Sequence, residues 1–166
     1  MEILNKISQY NLFNYLLPGV IFCVLIKEYW DLDLAGSNLL VAAFIYYFLG
    51  MCVSRIGSLI VEPTLKRVGY VEFSDYSDFL NAETQDPKIQ ELLTTANFYR
   101  SILGCLFSFL LLSVGLWLVA TQHISADTLF MITMALIICL VLAGYRKQVS
   151  YIRRRVNFRK INDADS

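Results

Sequence analysis

Four long runs of hydrophobic residues, separated by shorter polar segments, organise the chain. Each run is close to the roughly 20 residues that an α-helix needs to cross the hydrocarbon core of a bilayer. The third and fourth runs are joined by so short a polar turn that they should form an antiparallel hairpin. The pattern predicts an all-α fold, an integral membrane four-helix bundle, in a single domain covering residues 1–166. The predicted spans are about 12–30, 39–61, 101–121 and 128–145.

Prolines mark several of the predicted helix boundaries. Pro18, followed by Gly19, predicts a bend in the first helix, and Pro63 predicts the end of the second. Asp86 followed by Pro87 has the pattern of an N-cap and a first-turn proline, so the third helix should begin near Pro87. At 1.5 Å per residue, a helix from there to the end of the third run would measure roughly 50 Å. It would therefore extend beyond the bilayer core.

The composition supports a membrane protein. Hydrophobic residues make up 57% of the 166 residues, more than a soluble domain of this size normally carries. The 14 basic and 14 acidic residues give a formal net charge of zero, so the positions of the charges are more informative than their sum. The first apolar run lacks a preceding basic region and a small-residue cleavage site, so we expect the N-terminus to be retained.

Basic residues are distributed unevenly between the two sides of the predicted membrane domain. The N-terminal segment contains one, residues 55–100 contain five and the tail after Tyr145 contains seven, whereas the opposite side has Lys27 alone. Basic segments close to membrane spans are retained in the cytoplasm. The asymmetry therefore predicts that both termini, the loop 62–100 and the basic tail 146–166 are cytoplasmic.

The third and fourth helices are predicted to continue side by side into the cytoplasm. Val149, Ile152 and Val156 extend the apolar pattern of the fourth helix at helical spacing. In an antiparallel hairpin these residues would face apolar residues of the third helix, namely Tyr99, Ala96 and Leu92. We therefore expect a cytoplasmic helical extension of both helices that forms a short stalk.

Small residues recur every four positions on two of the predicted spans. Small side chains let membrane helices approach closely, and such faces drive helix association because apolar side chains gain little by exchanging lipid for each other. Two interpretations stay open: the faces pack helices within one protomer, or they form the interface of a homo-oligomer. The residues are Gly50, Ser54, Gly57 and Ser58 in the second span and Ala135, Cys139 and Ala143 in the fourth.

Arg55 is the one charged residue well inside an apolar run. A charge within a membrane span is a candidate functional group. Its candidate partners are Glu62, on the same helix face, and the side-chain amides of Asn11 and Asn14. Alternatively, the long side chain carries the guanidinium to lipid headgroups at the cytoplasmic boundary.

The tail carries a dense basic stretch directly after the fourth span. Anionic lipid is one predicted partner, since each basic residue near the membrane surface contributes about 1 kcal/mol, and an acidic cytoplasmic protein is the other. Direct nucleic-acid binding is disfavoured because few aromatic residues are interleaved with the charges. The predicted contact residues are Arg153, Arg154, Arg155, Arg159 and Lys160.

Residues needed for common membrane chemistry are missing from the predicted spans. No acidic residue lies near the middle of a span, which argues against proton-coupled export. The four cysteines lie within apolar runs without the spacing of a disulfide or zinc site, and His123 is the sole histidine. We therefore predict no catalytic residue, no metal site and no cofactor, and a protein that is not an enzyme.

Three short strings resemble those of small bacterial membrane proteins, some of which accompany phage-defence genes. They are NLFNYLLPG at 11–19, RIGSLIVEP at 55–63 and NFYRS at 97–101. In its layout of hydrophobic runs the chain is similar to the membrane subunit of the Kiwa anti-phage system, which works with a soluble partner. The resemblance implies an oligomeric sensor or effector in the bacterial inner membrane, and it assigns no individual functional residue.

The sequence thus favours a non-enzymatic, oligomeric sensor or scaffold of the inner (plasma) membrane that docks a cytoplasmic protein, in an anti-phage context. The long loop and the charged tail would provide the docking surface. A pore-forming effector that depolarises the membrane is the alternative, because aromatic-rich, uncharged spans are compatible with a hydrophobic pore. A transporter or channel subunit is a second alternative.

Reporter fusions at four positions test the predicted topology. Fusions after Asp33 and after Gln122 should activate a periplasmic reporter, because both positions lie on the side with few basic residues. Fusions after Asp78 and at Ser166 should activate a cytoplasmic reporter. A cytoplasmic signal after Asp33 would overturn the whole orientation.

Overall fold

The computed structural model describes the backbone of residues 2–86 and 88–164, and the side chains of 14–83, 85–86 and 88–158. Helices are the only regular elements among these residues, so the prediction of an all-α fold is confirmed. Along the chain they are α1 (Glu2–Trp30), α2 (Leu39–Ile56), a π-helical turn (Gly57–Val61), α3 (Glu62–Arg67), α4 (Tyr76–Gln85), α5 (Lys88–Ala120) and α6 (Ala126–Ala164).

Three helical segments in the described part of the chain are long and apolar enough to cross a membrane. They are Leu39–Arg67, Lys88–Ala120 and Ala126–Phe158. The first predicted span lies in α1, whose side chains before Asn14 are outside the described residues. Helix length and composition therefore support the prediction of a membrane protein.

Two of the helices are much longer than a membrane span. α5 has 33 residues and α6 has 39, which correspond to roughly 50 Å and 58 Å at 1.5 Å per residue. α5 begins directly after Pro87, and the Asp86 carboxylate stabilises its start by accepting a hydrogen bond from the Lys88 N–H at 2.9 Å. Both helices exceed the roughly 30 Å of a bilayer core.

The core of the molecule is formed by α1, α2 and α5. Its buried centre consists of Phe22 and Ile26 from α1, Val53 from α2 and Cys105 from α5. α6 is peripheral to this core, because the most apolar stretch of that helix contains no buried residue. The three core helices therefore pack against one another, whereas most of α6 has no helix packed against it.

Glycines bring the backbones of α1 and α2 into direct contact. Gly19 of α1 lies against the Tyr46 carbonyl of α2, and Gly50 of α2 lies against the Tyr15 carbonyl of α1. A Cβ atom at either glycine would overlap the opposite backbone. The absence of a side chain is what permits this approach.

Two helical turns beyond Gly50, the same helix makes an equally close contact with α5. A Cβ atom at Gly57 or at Gly104 would overlap backbone atoms of the other helix. In the same contact, Ser54 Oγ and Ser101 Oγ lie 2.8 Å apart and form a buried hydrogen bond. The Ser101 hydroxyl also donates to the Asn97 carbonyl at 2.9 Å, so both hydroxyl groups have partners, as buried polar groups in an apolar surrounding must.

Pro63 does not end the second helix, contrary to the prediction from the sequence. The helix continues through the π-helical turn into α3 and ends at Arg67. In the π-helical turn, the Glu62 N–H donates to the Gly57 carbonyl five residues earlier. Pro63 then falls in the first turn of α3, where the missing N–H of a proline is tolerated. The proline accompanies a change of helical register and not a helix end.

The predicted stalk between α5 and α6 is not formed. α6 approaches α2 instead, where Arg55 lies over Gly144, and α4 packs beside α5. The periodicity of two helices does not reveal which neighbour each helix contacts in the folded chain. The apolar residues expected in the stalk are all exposed, five of them by 45–69%: Leu92, Ala96, Tyr99, Val149, Ile152 and Val156.

A leucine at Gly50 tests the backbone contact between α1 and α2. Its side chain would overlap the Tyr15 carbonyl, so Gly50→Leu should lower the free energy of unfolding by at least about 1–3 kcal/mol, the usual effect of overpacking. Ala120→Leu introduces the same side chain at an exposed position at the end of α5 and should stay within about 0.5 kcal/mol of the wild type. Thermal unfolding in detergent measures both. Equal stability of the two variants would rule out the close approach.

Candidate functional site

Charged side chains from several helices meet around the start of α3. Glu62 and Lys66 come from α3 itself, Arg100 from α5 and Lys147 from α6, and Arg55 lies about two helical turns before Glu62 in α2. We call these five residues the Glu62 cluster. Arg100 and Lys147 are far from Glu62 along the chain, so the packing of the helices brings them to it.

The Glu62 carboxylate is largely enclosed and is paired with two cations. Only 12% of its side chain is exposed. It accepts a hydrogen bond from Arg100 Nη1 at 2.6 Å and lies 3.0 Å from Lys66 Nζ. An enclosed carboxylate stays charged only if such partners compensate for the lost water. These two residues, and not Arg55 as hypothesised from the sequence, therefore pair with Glu62.

The π-helical turn leaves the Ser58 carbonyl without a backbone donor. In α-helical register its donor would be the Glu62 N–H, which donates to the Gly57 carbonyl instead. In π-helical register its donor would be residue 63, a proline that has no N–H. Lys147 Nζ supplies the missing donor from α6, at 2.6 Å from the Ser58 carbonyl oxygen. A lysine on one helix thus compensates for a proline on another, as membrane helices with interior prolines require.

Arg55 lies next to this contact between α2 and α6. Its side chain crosses Gly144, where a Cβ atom would come within 3.2 Å of Arg55 Cδ, and Lys147 follows Gly144 by about one helical turn. No carboxylate in the described part of the chain forms an ion pair with Arg55. Of the amides considered as its partners, Asn14 is buried in α1 and Asn11 lies outside the described side chains.

The Glu62 cluster carries more positive than negative charge. Its four basic side chains and one carboxylate give a formal net charge of +3. In addition, Arg100 Nε is buried and has no hydrogen-bond partner among the described residues. Excess positive charge together with an unused N–H donor favours the binding of an anion.

The small residues of the second span all pack against other helices of the same protomer. Gly50 lies against α1, Ser54 and Gly57 lie against α5, and Ser58 is buried at the contact with α6. The corresponding residues of α6 are exposed, namely Ala135, Cys139 and Ala143. Two sets of residues with the same spacing in the sequence therefore have different surroundings.

The basic tail continues α6 as an exposed helix. Arg153 and Arg154 are exposed, and no carboxylate of the described chain pairs with them. Arg155 Nη1 lies 3.8 Å from the Glu83 carboxylate of α4, a distance typical of a weak surface pair. Two further predicted contact residues have side chains outside the described part: Arg159 and Lys160.

Lys66, Arg100 and Lys147 cannot be recognised as site residues from the sequence, where they are three of 14 basic residues. One signal does indicate that a donor such as Lys147 is needed. Pro63 lies two residues after the end of an apolar run, and a proline within a membrane helix leaves a carbonyl in the preceding turn that needs a donor from elsewhere. The sequence does not show which helix provides that donor.

The described residues offer few other places for a ligand. They contain no group of three or more His, Cys, Asp or Glu side chains that could hold a metal ion. An open groove along α2 is almost entirely apolar and lacks polar groups to orient a ligand. The residues that line this groove are Leu34, Val41, Phe44, Ile45, Phe48 and Leu49.

Removing the Lys147 amine tests whether it supplies the donor that Pro63 lacks. Lys147→Met retains most of the side-chain volume but leaves the Ser58 carbonyl unsatisfied, so the free energy of unfolding should fall by about 1.5–3 kcal/mol. In a Pro63→Ala background a backbone N–H becomes available, and the same substitution should have a smaller effect. Thermal unfolding of the four proteins measures this coupling. Equal losses in both backgrounds would disprove the assignment.

No protein-family model, no curated protein and no solved structure matches this chain.

Proposed function

We propose that this protein is a non-enzymatic, oligomeric scaffold or sensor of the bacterial inner membrane that docks a cytoplasmic protein through the basic end of α6. The length, the two-part composition and the exposure of α6 support the proposal. This helix has 39 residues, is apolar in its first half and basic in its second, and receives little cover from the rest of the chain. It is long enough to join a surface inside the membrane to one outside it.

The proposed arrangement has four membrane helices and both termini in the cytoplasm. Three helical segments have the required length and hydropathy, and α1 packs with α2 and α5 as the fourth. The unequal distribution of basic residues supports this orientation. The basic end of α6 then lies on the cytoplasmic side.

The apolar half of α6 supports assembly with further copies of the chain. Ala135, Cys139 and Ala143 recur at intervals of four residues and are exposed. In lipid, small residues allow close contact between helices, whereas large apolar side chains gain little by leaving the acyl chains. In α2, residues with the same spacing hold helices together within the protomer. A second copy is the partner that we propose for this face of α6.

The basic half of α6 supports docking of an acidic protein. Arg153 and Arg154 have no carboxylate partner in the described chain, and Arg155 has a weak one. Guanidinium groups bind carboxylates through paired N–H donors. The resemblance to the Kiwa membrane subunit, which works with a soluble partner, supports an anti-phage context for such docking.

Neutralising the arginine triplet tests the docking function. The triple variant Arg153→Gln, Arg154→Gln and Arg155→Gln should reduce the recovery of cytoplasmic protein with the tagged chain at least about fivefold, which corresponds to roughly 1 kcal/mol. Quantitative mass spectrometry of the co-purified proteins measures the recovery, which should also fall as salt is raised. The matched control removes three other exposed charges in the variant Arg67→Gln, Lys88→Gln and Arg146→Gln.

Full recovery of the partner by the triplet variant would count against the docking function. Membrane potential, measured in the same cells, separates the scaffold from the pore-forming alternative. Expression of a scaffold should leave the potential unchanged, whereas an oligomeric pore should depolarise the cells.

A further inference from the structure

The Glu62 cluster leaves positive charge uncompensated at a partly enclosed position. The single carboxylate is shared by Arg100 and Lys66. Lys147 uses one of its three N–H donors on the Ser58 carbonyl, and Arg100 Nε has no partner among the described residues. Enclosed cations without a counter-charge are unfavourable. An external anion would therefore stabilise this arrangement.

Most of the cluster lies where the apolar part of a contributing helix ends, and Arg55 lies about two turns inside the apolar run of α2. Glu62 directly follows the apolar run that contains α2. Arg100 precedes the apolar run of α5 by two residues, and Lys147 follows that of α6 by two. Several helices thus place their cluster residues at the same apolar–polar boundary, which in a bilayer is the depth of the lipid headgroups.

We propose that the Glu62 cluster binds the phosphate group of an anionic membrane lipid. The guanidinium groups of Arg55 and Arg100 and the amine of Lys147 supply charge and N–H donors, which phosphate oxygens accept in short, charge-assisted hydrogen bonds. Glu62 holds Arg100 and Lys66 in place and limits the affinity by its own charge. The location at the headgroup depth favours a lipid over a soluble anion.

This lipid site is independent of the docking function proposed for the tail. It is built from α2, α3, α5 and α6, and it uses none of the three tail arginines. A lipid phosphate bound there would lie beside the contact between Lys147 and the Ser58 carbonyl, which is one of the contacts that attach α6 to α2. Bound lipid should therefore stabilise the attachment of α6 as well as the cluster.

Lipid binding to the purified full-length chain in detergent tests the site. Phosphatidylglycerol is the anionic probe and phosphatidylcholine the neutral one; native mass spectrometry counts the bound lipids and thermal unfolding measures the stabilisation. We expect saturable binding of phosphatidylglycerol at one site per chain. Arg55→Gln should weaken that binding about fivefold, since a basic residue near the headgroups contributes about 1 kcal/mol.

Matched variants separate the cluster from general surface charge. Arg146→Gln removes an exposed charge one residue before Lys147 and should change the affinity less than about twofold. Lys66→Gln, at the more exposed side of the cluster, provides a second weakening variant in case Arg55→Gln does not fold. Glu62→Gln should act in the opposite direction and strengthen binding, because it removes the only carboxylate of the cluster.

Two results would overturn the site and one would change its ligand. Equal binding of the neutral and anionic lipids would refute recognition of the anionic headgroup, and equal losses in Arg146→Gln and Arg55→Gln would show that only diffuse charge matters. Inorganic phosphate should not displace phosphatidylglycerol. If it does, and binds alone with the same dependence on Arg55, the cluster is a site for a soluble anion and the lipid assignment is wrong.

Discussion

Glycines at two levels along α2 and the π-helical turn that follows it set the distances between the helices of the core. Gly50 lets the backbone of α1 lie against that of α2, and Gly57 together with Gly104 does the same for α5. Backbone contact at this distance leaves no room for a side chain, so the relative position of the three helices is closely constrained. Arg100 lies about one turn from Gly104 on α5, and the same constraint brings its guanidinium to Glu62.

Pro63 turns a local irregularity of one helix into a contact between two. The shift to π-helical register leaves the Ser58 carbonyl unsatisfied, and Lys147 supplies its donor from α6. An unsatisfied carbonyl in an apolar surrounding is costly. A polar contact therefore helps to hold α6 against α2, and the exposed residues Val149 and Ile152 show that an apolar contact with α5 does not take its place.

Two surfaces, for which we propose different roles, result from this attachment. The exposed length of α6 combines small residues in its apolar half with arginines in its basic half, and it supports the proposed assembly and docking. The Glu62 cluster lies beside the point where α6 meets α2 and supports the proposed lipid site. A lipid phosphate at the cluster would couple the composition of the membrane to the position of the helix that we propose docks a partner.

The sequence by itself determined the helical class, the long apolar segments and the start of α5 after Pro87, because these features depend on local composition, periodicity and capping. It left open whether the face with Gly50 and Ser54 packs inside the protomer. It also predicted that the second helix ends at Pro63, whereas the helix continues to Arg67. Only the tertiary structure decided that Lys147 donates a hydrogen bond to the Ser58 carbonyl. A donor and an acceptor on separate helices meet through the packing of the whole core, which no local pattern encodes.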